Sequence, residues 1–563
     1  MQNKIVDILK TERWYLSIEN LLRRLFSLNP TNKEGTIIFK ILIRIRRIIR
    51  SISKSVKRYF LFSKNKINIT LLFTCEKSQF DIKWLLKLNQ LKYEWLKIEF
   101  LASHSDIKKF LDQTRNKNES DYYIIFDRPA IFTKFGLYDI LSAINNDRSL
   151  KLLFADHWEL SEGKKDHFCK PSFNEHYFLS YNFVQLPVII HSETLRELTN
   201  HHQFDLNNIC WIYNLLLVAY SCEIPITRLQ VLAAITTPYP KSKLALLSHA
   251  RKSLVATYLN NKSIDAEIKQ ISDEVFYINR SLDINKKVSI IIPFKDKPEL
   301  LVTCIQSIIE YTQYKNYELL LISNNSQEKN TFDQIKKFQK NYPDLNIVFF
   351  EYNIEFNYSA INNWAAKQSN AEYLLFLNND TEVIESGWLL NMCKHLQLKE
   401  VGAVGALLLY DDYTVQHGGT IIGIGDFAGH AHRHSKSSSY GYMNRLICEQ
   451  QLSAVTGACL LTKSDVFTKL NGFNESNLAI SNNDVDYCLR LNILGFKVIF
   501  TPKAKLLHFE SKSRSNDYLP KNKKRYDKEL RFMRIHYSNQ IPDPFYNQNL
   551  SVTKEDFSYC EQF

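Results

Sequence analysis

From residue 288 to about 510 the chain repeats one pattern: a run of consecutive apolar residues, an abrupt polar cluster, then a helix-length stretch. Residues 288–293 (VSIIIP) lead into Phe294-Lys295-Asp296, 318–322 (ELLLI) into Ser323-Asn324-Asn325-Ser326, and 372–377 (EYLLFL) into Asn378-Asn379-Asp380-Thr381-Glu382. Runs that are apolar at successive positions predict strands covered on both faces. Such strands, spaced by helices such as the one expected over 299–311, predict an α/β domain with a largely parallel sheet. The same alternation occupies the region after residue 66. Strands are expected at 67–74, 121–126 and 151–155, and helices at 81–88 and 137–145.

A chain of 563 residues is too long for one core, so several domains are expected. The expected division is a basic leader over 1–65, an α/β domain over 66–260, a polar linker over 261–287, a second α/β domain over 288–519, and a C-terminal helix and tail over 520–563. The apolar content of 45% is ordinary for a globular protein, but the charge is unevenly placed. Residues 1–65 hold 15 Lys+Arg against 4 Asp+Glu, so they carry most of the net +13. Within them, residues 36–60 (TIIFKILIRIRRIIRSISKSVKRYF) place apolar residues at helical spacing, with no acid among the basic ones. A basic amphipathic helix suits an anionic membrane surface, and it also suits packing on its own protein with a solvated face. Nucleic acid is not an expected partner, because no groove-reading or stacking motif accompanies the charge. The ten cysteines include no CxxC pair, which fits reduced thiols better than a zinc site or a disulfide scaffold. The first twenty residues do not read as a signal peptide, and no membrane span is expected. The expected location is cytoplasmic, peripheral at the inner face of the membrane.

Ligands of open α/β sheets bind beyond the carboxyl ends of the strands, which makes the polar clusters there candidate site residues. Taken singly, each cluster could be ordinary turn chemistry. Asp380 can hold a divalent ion that bridges a diphosphate, and it can equally be a helix N-cap. Later, Ser481-Asn482-Asn483-Asp484-Val485-Asp486 opens a helix. Two acids two residues apart do not share a helix face, so one can serve as general base while the other caps or pairs with Arg490. His508 follows the strand-like stretches 498–500 and 504–507, ahead of Glu510, Ser511 and Ser513. It is a candidate metal ligand, though a lone histidine is more often structural. The loop 418–439 contains His430, His432 and His434 and reads as an acceptor-side lid rather than a metal site.

In order, the segments VSIIIPFKD, LISNNS, FNYSAINN, FLNNDTEV, SAVTGACLLTKSDVFTKLNGFNE, SNNDVDYCLR and LLHFESKS resemble the family 2 inverting glycosyltransferases, near the rhamnosyltransferase-like members. The resemblance spans about 288–515. It implies the nucleotide-diphospho-sugar transferase fold called GT-A, a divalent metal (Mn²⁺ or Mg²⁺), a dTDP- or UDP-linked donor, and a saccharide or lipid-linked saccharide acceptor of surface-polysaccharide pathways. It places Asp380 and His508 at the metal and Asp484, with Asp486 as the other candidate, at the catalytic base. Pro293, Phe294, Asp296, Asn324, Asn357, Asn363 and Asn379 fall at the nucleotide-sugar, and Gly457 and Ala458 on the acceptor side. Three positions depart from the pattern: Ser323 stands where an Asp often meets the base, Asn378 replaces the first Asp of Asp-x-Asp, and Asn483 stands where Glu is common.

The first α/β domain resembles the same family in degenerate form. Asp127-Arg128-Pro129 looks like its Asp-x-Asp region with the metal site spoiled, and 168–184 like a later segment of tandem transferases. Asn207, Asn208 and Ile209 stand where an acidic pair is expected, and Ala233-Ala234-Ile235 where the histidine is expected. The expected architecture is therefore two tandem GT-A domains, the first degenerate, behind a basic helical segment. The alternative reading is a non-catalytic saccharide- or nucleotide-binding scaffold.

Overall fold

The computed structural model describes residues 67–89, 91, 93–116, 120–509 and 520–560. The basic segment 36–60, with the rest of 1–66, and Glu510, Ser511 and Ser513 lie outside the described residues. The described chain forms two compact units, one from 67–169 and 185–239, the other from 170–184 and 240–559.

In the second unit, four parallel strands run in the order Ile347–Glu351, Tyr317–Ser323, Val288–Phe294, Tyr373–Leu377. Cys459–Lys463 joins antiparallel to Tyr373–Leu377, followed by Val401–Leu409, Lys497–His508 and Thr381–Val383, and the short strands Val415–His417 and Gln450–Leu452 complete the sheet. The apolar runs are covered on both faces, as their composition predicts. Ile290, Ile292, Leu319, Leu321, Leu375 and Leu377 enter one core, and Ile291, Leu320, Ile322, Leu374 and Phe376 enter the other. The chain builds outward from Val288–Phe294 and then returns to its opposite side at Tyr373–Leu377. That reversal is a topological switch point, where crossover helices diverge and leave a crevice at the strands' carboxyl ends.

The first unit repeats this plan. Its strands run in the order Leu96–Phe100, Ile69–Phe73, Tyr122–Phe126, Val188–His191, Leu152–Ser161, Ile226–Thr236, Ala130–Phe132. The senses of pairing match strand for strand, and only the outermost parallel strand and one short edge strand lack counterparts. In each unit, three residues separate the central strand from the short strand that follows: Asp127-Arg128-Pro129 in the first, Asn378-Asn379-Asp380 in the second. The short strands then pair Ala130 with Thr236 and Thr381 with His508. Thr236, not Ala233–Ile235, therefore holds the place of His508. The corresponding helix opens at Trp211, beyond Asn207–Ile209.

The breaks expected at 260 and 287 differ from the observed ones. The helix Lys241–Asn261 belongs to the second unit, and the supposed linker holds a hairpin, Ala266–Gln270 with Phe276–Arg280. Phe276, Ile278 and Arg280 point inward and are buried, while the polar residues between them face out, which gives the segment its linker-like composition. Residues 170–184 also join the second unit, and Asn174 bonds both the carbonyl and the N–H of Gln451. The C-terminal helix spans Pro520–His536. Among the described residues, no helix is long and apolar enough to cross a membrane, and all ten cysteines are free.

Close packing at the sheet centre yields a test. A Cβ on Gly405 would lie 2.4 Å from Val455 Cβ. Gly405→Ala is expected to cost about 1–3 kcal/mol through overpacking, read as a lowered urea midpoint.

Candidate functional site

The crevice at the switch point gathers four pieces of chain from the second unit. The first is the end of Tyr373–Leu377, where a buried strand releases Asn378, Asn379 and Asp380. The second is the end of Lys497–His508, brought there by the pairing of His508 with Thr381. His508 Nε2 lies 3.3 Å from Asp380 Oδ1 and 3.3 Å from Asn378 Nδ2. The third piece is 456–458, where the Ala458 carbonyl accepts the Asn378 N–H at 3.1 Å and the Gly457 N–H donates to Asp484 Oδ2 at 2.7 Å. The fourth is the helix Asn483–Ile493, whose first turn carries Asp484.

Partners fix the tautomer of His508. Gln416 Nε2 donates to the His508 carbonyl at 3.2 Å, which leaves Gln416 Oε1 as acceptor for His508 Nδ1–H at 2.7 Å. A neutral ring in this tautomer bears its lone pair on Nε2, beside Asp380, where the Asn378 amide donates to it at 3.3 Å. Asp380 is 3% exposed. An oxygen and a nitrogen lone pair this close make a pair of donors that a divalent cation fits. Next to them, Asn379 Nδ2 is buried with no protein partner among the described residues. A buried donor left over beside a carboxylate suits an anionic ligand oxygen.

The two acids that the sequence left unresolved have different surroundings. Asp486 is 1% exposed and fully engaged: Arg490 Nε donates at 2.9 Å, Arg490 Nη2 at 2.7 Å, and the Tyr537 hydroxyl at 2.6 Å. Asp484 receives N–H bonds from Gly457 and Val485, yet burial, the larger effect, raises its carboxyl above the usual range. Tyr358 joins the two halves of the site. Its hydroxyl donates to the Gly457 carbonyl at 2.9 Å. Burial raises its phenol strongly, with Asp484 and then Asp380 adding to the effect.

The remaining candidates divide. Pro293 and Phe294 end the central strand beside Asn324. Asn324 is buried, and its amide donates to the Tyr352 and Ile354 carbonyls at 2.9 and 3.0 Å. Asp296 is spent on protein: its Oδ1 accepts the Gln327 and Glu328 N–H groups at 2.7 and 2.8 Å. Asn357 caps the helix Tyr358–Lys367 through Ala360 N–H and donates to the Glu475 carbonyl. Asn363 clasps Phe473 through both its carbonyl and its N–H. Asp296, Asn357 and Asn363 hold loops in shape, because turns leave backbone groups that polar side chains must satisfy. The three loop histidines do not converge either. His432 stacks on Phe557, His434 on Tyr410, and His430 pairs with His417.

Tyr358 and Gln416 are absent from the sequence-derived set. Tyr358 lies inside FNYSAINN and was open to notice there. Gln416 reaches His508 only through a short strand paired to Val401–Leu409, and nothing local marks it.

The contrast between the acids sets an expectation. Asp486→Ala removes the counter-charge of Arg490, which keeps only the Leu470 and Gly472 carbonyls, and should cost on the order of 3 kcal/mol. For Asp484 the sign is opposite. A carboxyl with a folded pKa above its unfolded value of about 3.9 binds protons more tightly when folded, so stability is lost as pH rises through that interval. Asp484→Asn should therefore be at least as stable as the parent at pH 7, with urea midpoints of both variants as the measurement.

Residues 289–470 match the profile described as Glycosyl transferase family 2, a match that ends before Asp484 and His508. The O-antigen biosynthesis protein RfbC of Myxococcus xanthus is 36% identical over 307 residues, which is 54% of this chain and 23% of that protein. The uncharacterized protein y4gI of Sinorhizobium fredii is 38% identical over 271 residues, 48% of this chain and 30% of the relative. The chain thus spans less than a third of the length of these curated relatives. Among solved structures, a Pyrobaculum calidifontis mannosyltransferase in complex with GDP-Man and Mn²⁺ aligns at 16% identity and TM-score 0.35, over 47% of this chain and 69% of its own. Likeness that distant says nothing of substrate or mechanism. The segment 289–470, which carries the Asn378-Asn379-Asp380 strand end together with Gly457 and Ala458, is the part of this chain similar to glycosyl transferase family 2.

Proposed function

We propose that the second unit transfers a sugar from a dTDP- or UDP-linked donor to a saccharide acceptor of bacterial surface polysaccharide, with inversion at the anomeric carbon. One observation carries the reading: Asp380 Oδ1 and the Nε2 lone pair of His508 meet at 3.3 Å beyond the central strands. Asp380 and His508 would hold a divalent ion there, and the nitrogen ligand favours Mn²⁺ over Mg²⁺. When bound, the ion neutralises charge that builds on the departing diphosphate. The Asn379 amide donates to a phosphate oxygen. Asp484, its basicity increased by burial, takes the proton of the acceptor hydroxyl as that oxygen attacks the anomeric carbon from the face opposite the leaving group. Asp484 is preferred to Asp486 as base because Asp486 is already paired with the Arg490 guanidinium and the Tyr537 hydroxyl. Gly457 admits the close approach, since a Cβ there would lie 3.3 Å from Asp484 Cβ. The polysaccharide acceptor is supported by the relative's role in O-antigen biosynthesis. A lipid-linked acceptor at the inner face of the membrane rests on the composition of residues 36–60.

We infer further that the first unit is a transferase-like domain without catalysis. Pro129 stands in the place of Asp380 and Thr236 in that of His508. Arg128, 4% exposed, fills the strand end: it bonds Gln185 at 2.7 Å, approaches Glu159 at 3.5 Å and lies over the Tyr239 ring. Pro129 offers no ligand where Asp380 stands in the second unit, and the carboxylate left in the break, Asp127, accepts the Tyr239 hydroxyl.

A donor screen with the full chain should find turnover of one sugar nucleotide that EDTA abolishes. Asp380→Ala should lower transfer by about 10²–10³-fold, matching the several kcal/mol a metal supplies. Full activity in excess EDTA would overturn the metal role, and metal-dependent turnover surviving in Asp380→Ala would return catalysis to the first unit. The acid limb of kcat/KM should fall above the ordinary aspartate range and vanish in Asp484→Asn.

A further inference from the structure

Beside His508 lies a second pair of imidazoles to which the mechanism above gives no task. His417, 1% exposed, ends the strand Val415–His417, and His430, partly exposed, ends Ala428–His430. Their Nδ1 atoms are 2.8 Å apart and the rings meet edge to face. Two nitrogens at that distance share one proton. The backbone of Thr456 determines which ring owns it, because its N–H points at His417 Nε2 from 3.4 Å. A peptide N–H can only donate, so His417 Nε2 is bare and its proton lies on Nδ1. His430 Nδ1 must then accept, which puts the proton of His430 on Nε2. Burial pushes both rings below the usual imidazole range, His430 to about 4, so neither carries charge near pH 7.

The pair stands between the two halves of the site. Gln416, next to His417, holds His508. Thr456, next to Gly457, sits on the loop that holds Asp484. The backbone of His430 is anchored by its N–H bond to Glu555 Oε1 at 2.8 Å, while its Nε2–H meets no acceptor among the described residues. The neighbouring imidazoles are thus sorted by their partners: Nε2 bears a lone pair in His508 and a proton in His430. A ring protonated at Nε2 cannot ligate a cation through that atom. It can donate to an anion without adding charge that would compete with the cation.

We propose that His430 Nε2–H donates a hydrogen bond to a phosphate oxygen of the nucleoside diphosphate, and that His417 is the positioning residue that fixes His430 in this tautomer. The proposal rests on the donor site argued above and adds a ligand to it. The full chain labelled with ¹⁵N-histidine provides the test, with UDP and dTDP in the presence of Mg²⁺ as probes. At pH 7.5 the His430 resonances, assigned through His430→Phe, should show the Nε2–H pattern and move when one nucleotide is added. By calorimetry, His430→Phe should weaken that nucleotide roughly tenfold or more, while His434→Phe leaves it unchanged. His417→Phe should return His430 to a mixture of tautomers. An Nδ1–H pattern at His430, resonances unmoved by a nucleotide that binds, or unaltered affinity in His430→Phe would each overturn the proposal. Failure of both nucleotides to bind the parent chain would instead bring down the donor-site reading, and this ligand with it.

Discussion

The candidate site depends on one antiparallel ladder, three residues long, between Thr381–Val383 and Leu506–His508. It carries a histidine from the last strand of the sheet to the carboxylate at the end of a central one. Side chains alternate along a strand, so a slip of one residue would turn His508 to the opposite face. The register is held from both sides. Val383 and Leu506 enter one core and Leu507 the other, so a slip would expose them all. The same sheet fixes the other edge of the site, since Cys459–Lys463 pairs with Tyr373–Leu377 and delivers Gly457 and Ala458 to the neighbourhood of Asp380 and Asp484.

Within that frame, function is a matter of which lone pairs and protons remain unspent. Asp484 and Asp486 are two residues apart on one helix, yet the second is paired with Arg490 and Tyr537 while the first meets the loop at Gly457. Gln416 takes one nitrogen of His508 and so presents the other. Asn357 and Asn363 share a residue type with Asn379, but only Asn379 keeps a buried amide nitrogen without a protein partner. Residue type proposes chemistry, and the partners of each side chain decide whether it is available.

The first unit shows the same frame put to another use. Its sheet follows the same order and senses as the second, and its central strand is followed by the same three-residue break. What differs is the content of the break. A proline offers no ligand, and the arginine before it is locked among Gln185, Glu159 and Tyr239. A sheet is held by its apolar runs, so it persists when polar residues at its ends change.

Much of this was legible in the sequence. The apolar runs are local, and they alone specify buried strands; every strand expected between 288 and 377 is present within a residue or two. The order of the motifs pointed to Asp380, Asp484 and His508, and the structure gathers all three around the end of one strand. Other features were not legible. The segment 261–287 looks like a linker because only one face of its hairpin is apolar, and 170–184 joins the second unit through contacts remote in sequence. The sequence also assigned Asp296, Asn357 and Asn363 to the nucleotide, since it cannot show that backbone groups of distant loops already consume their side chains. The sequence by itself determined the strands, their polar ends and the residues able to do chemistry, because these depend on neighbours along the chain. Only the tertiary structure decided which acid pairs with Arg490 and Tyr537, which nitrogen of His508 carries the proton and where the units divide, because hydrogen bonds and packing join residues far apart along the chain.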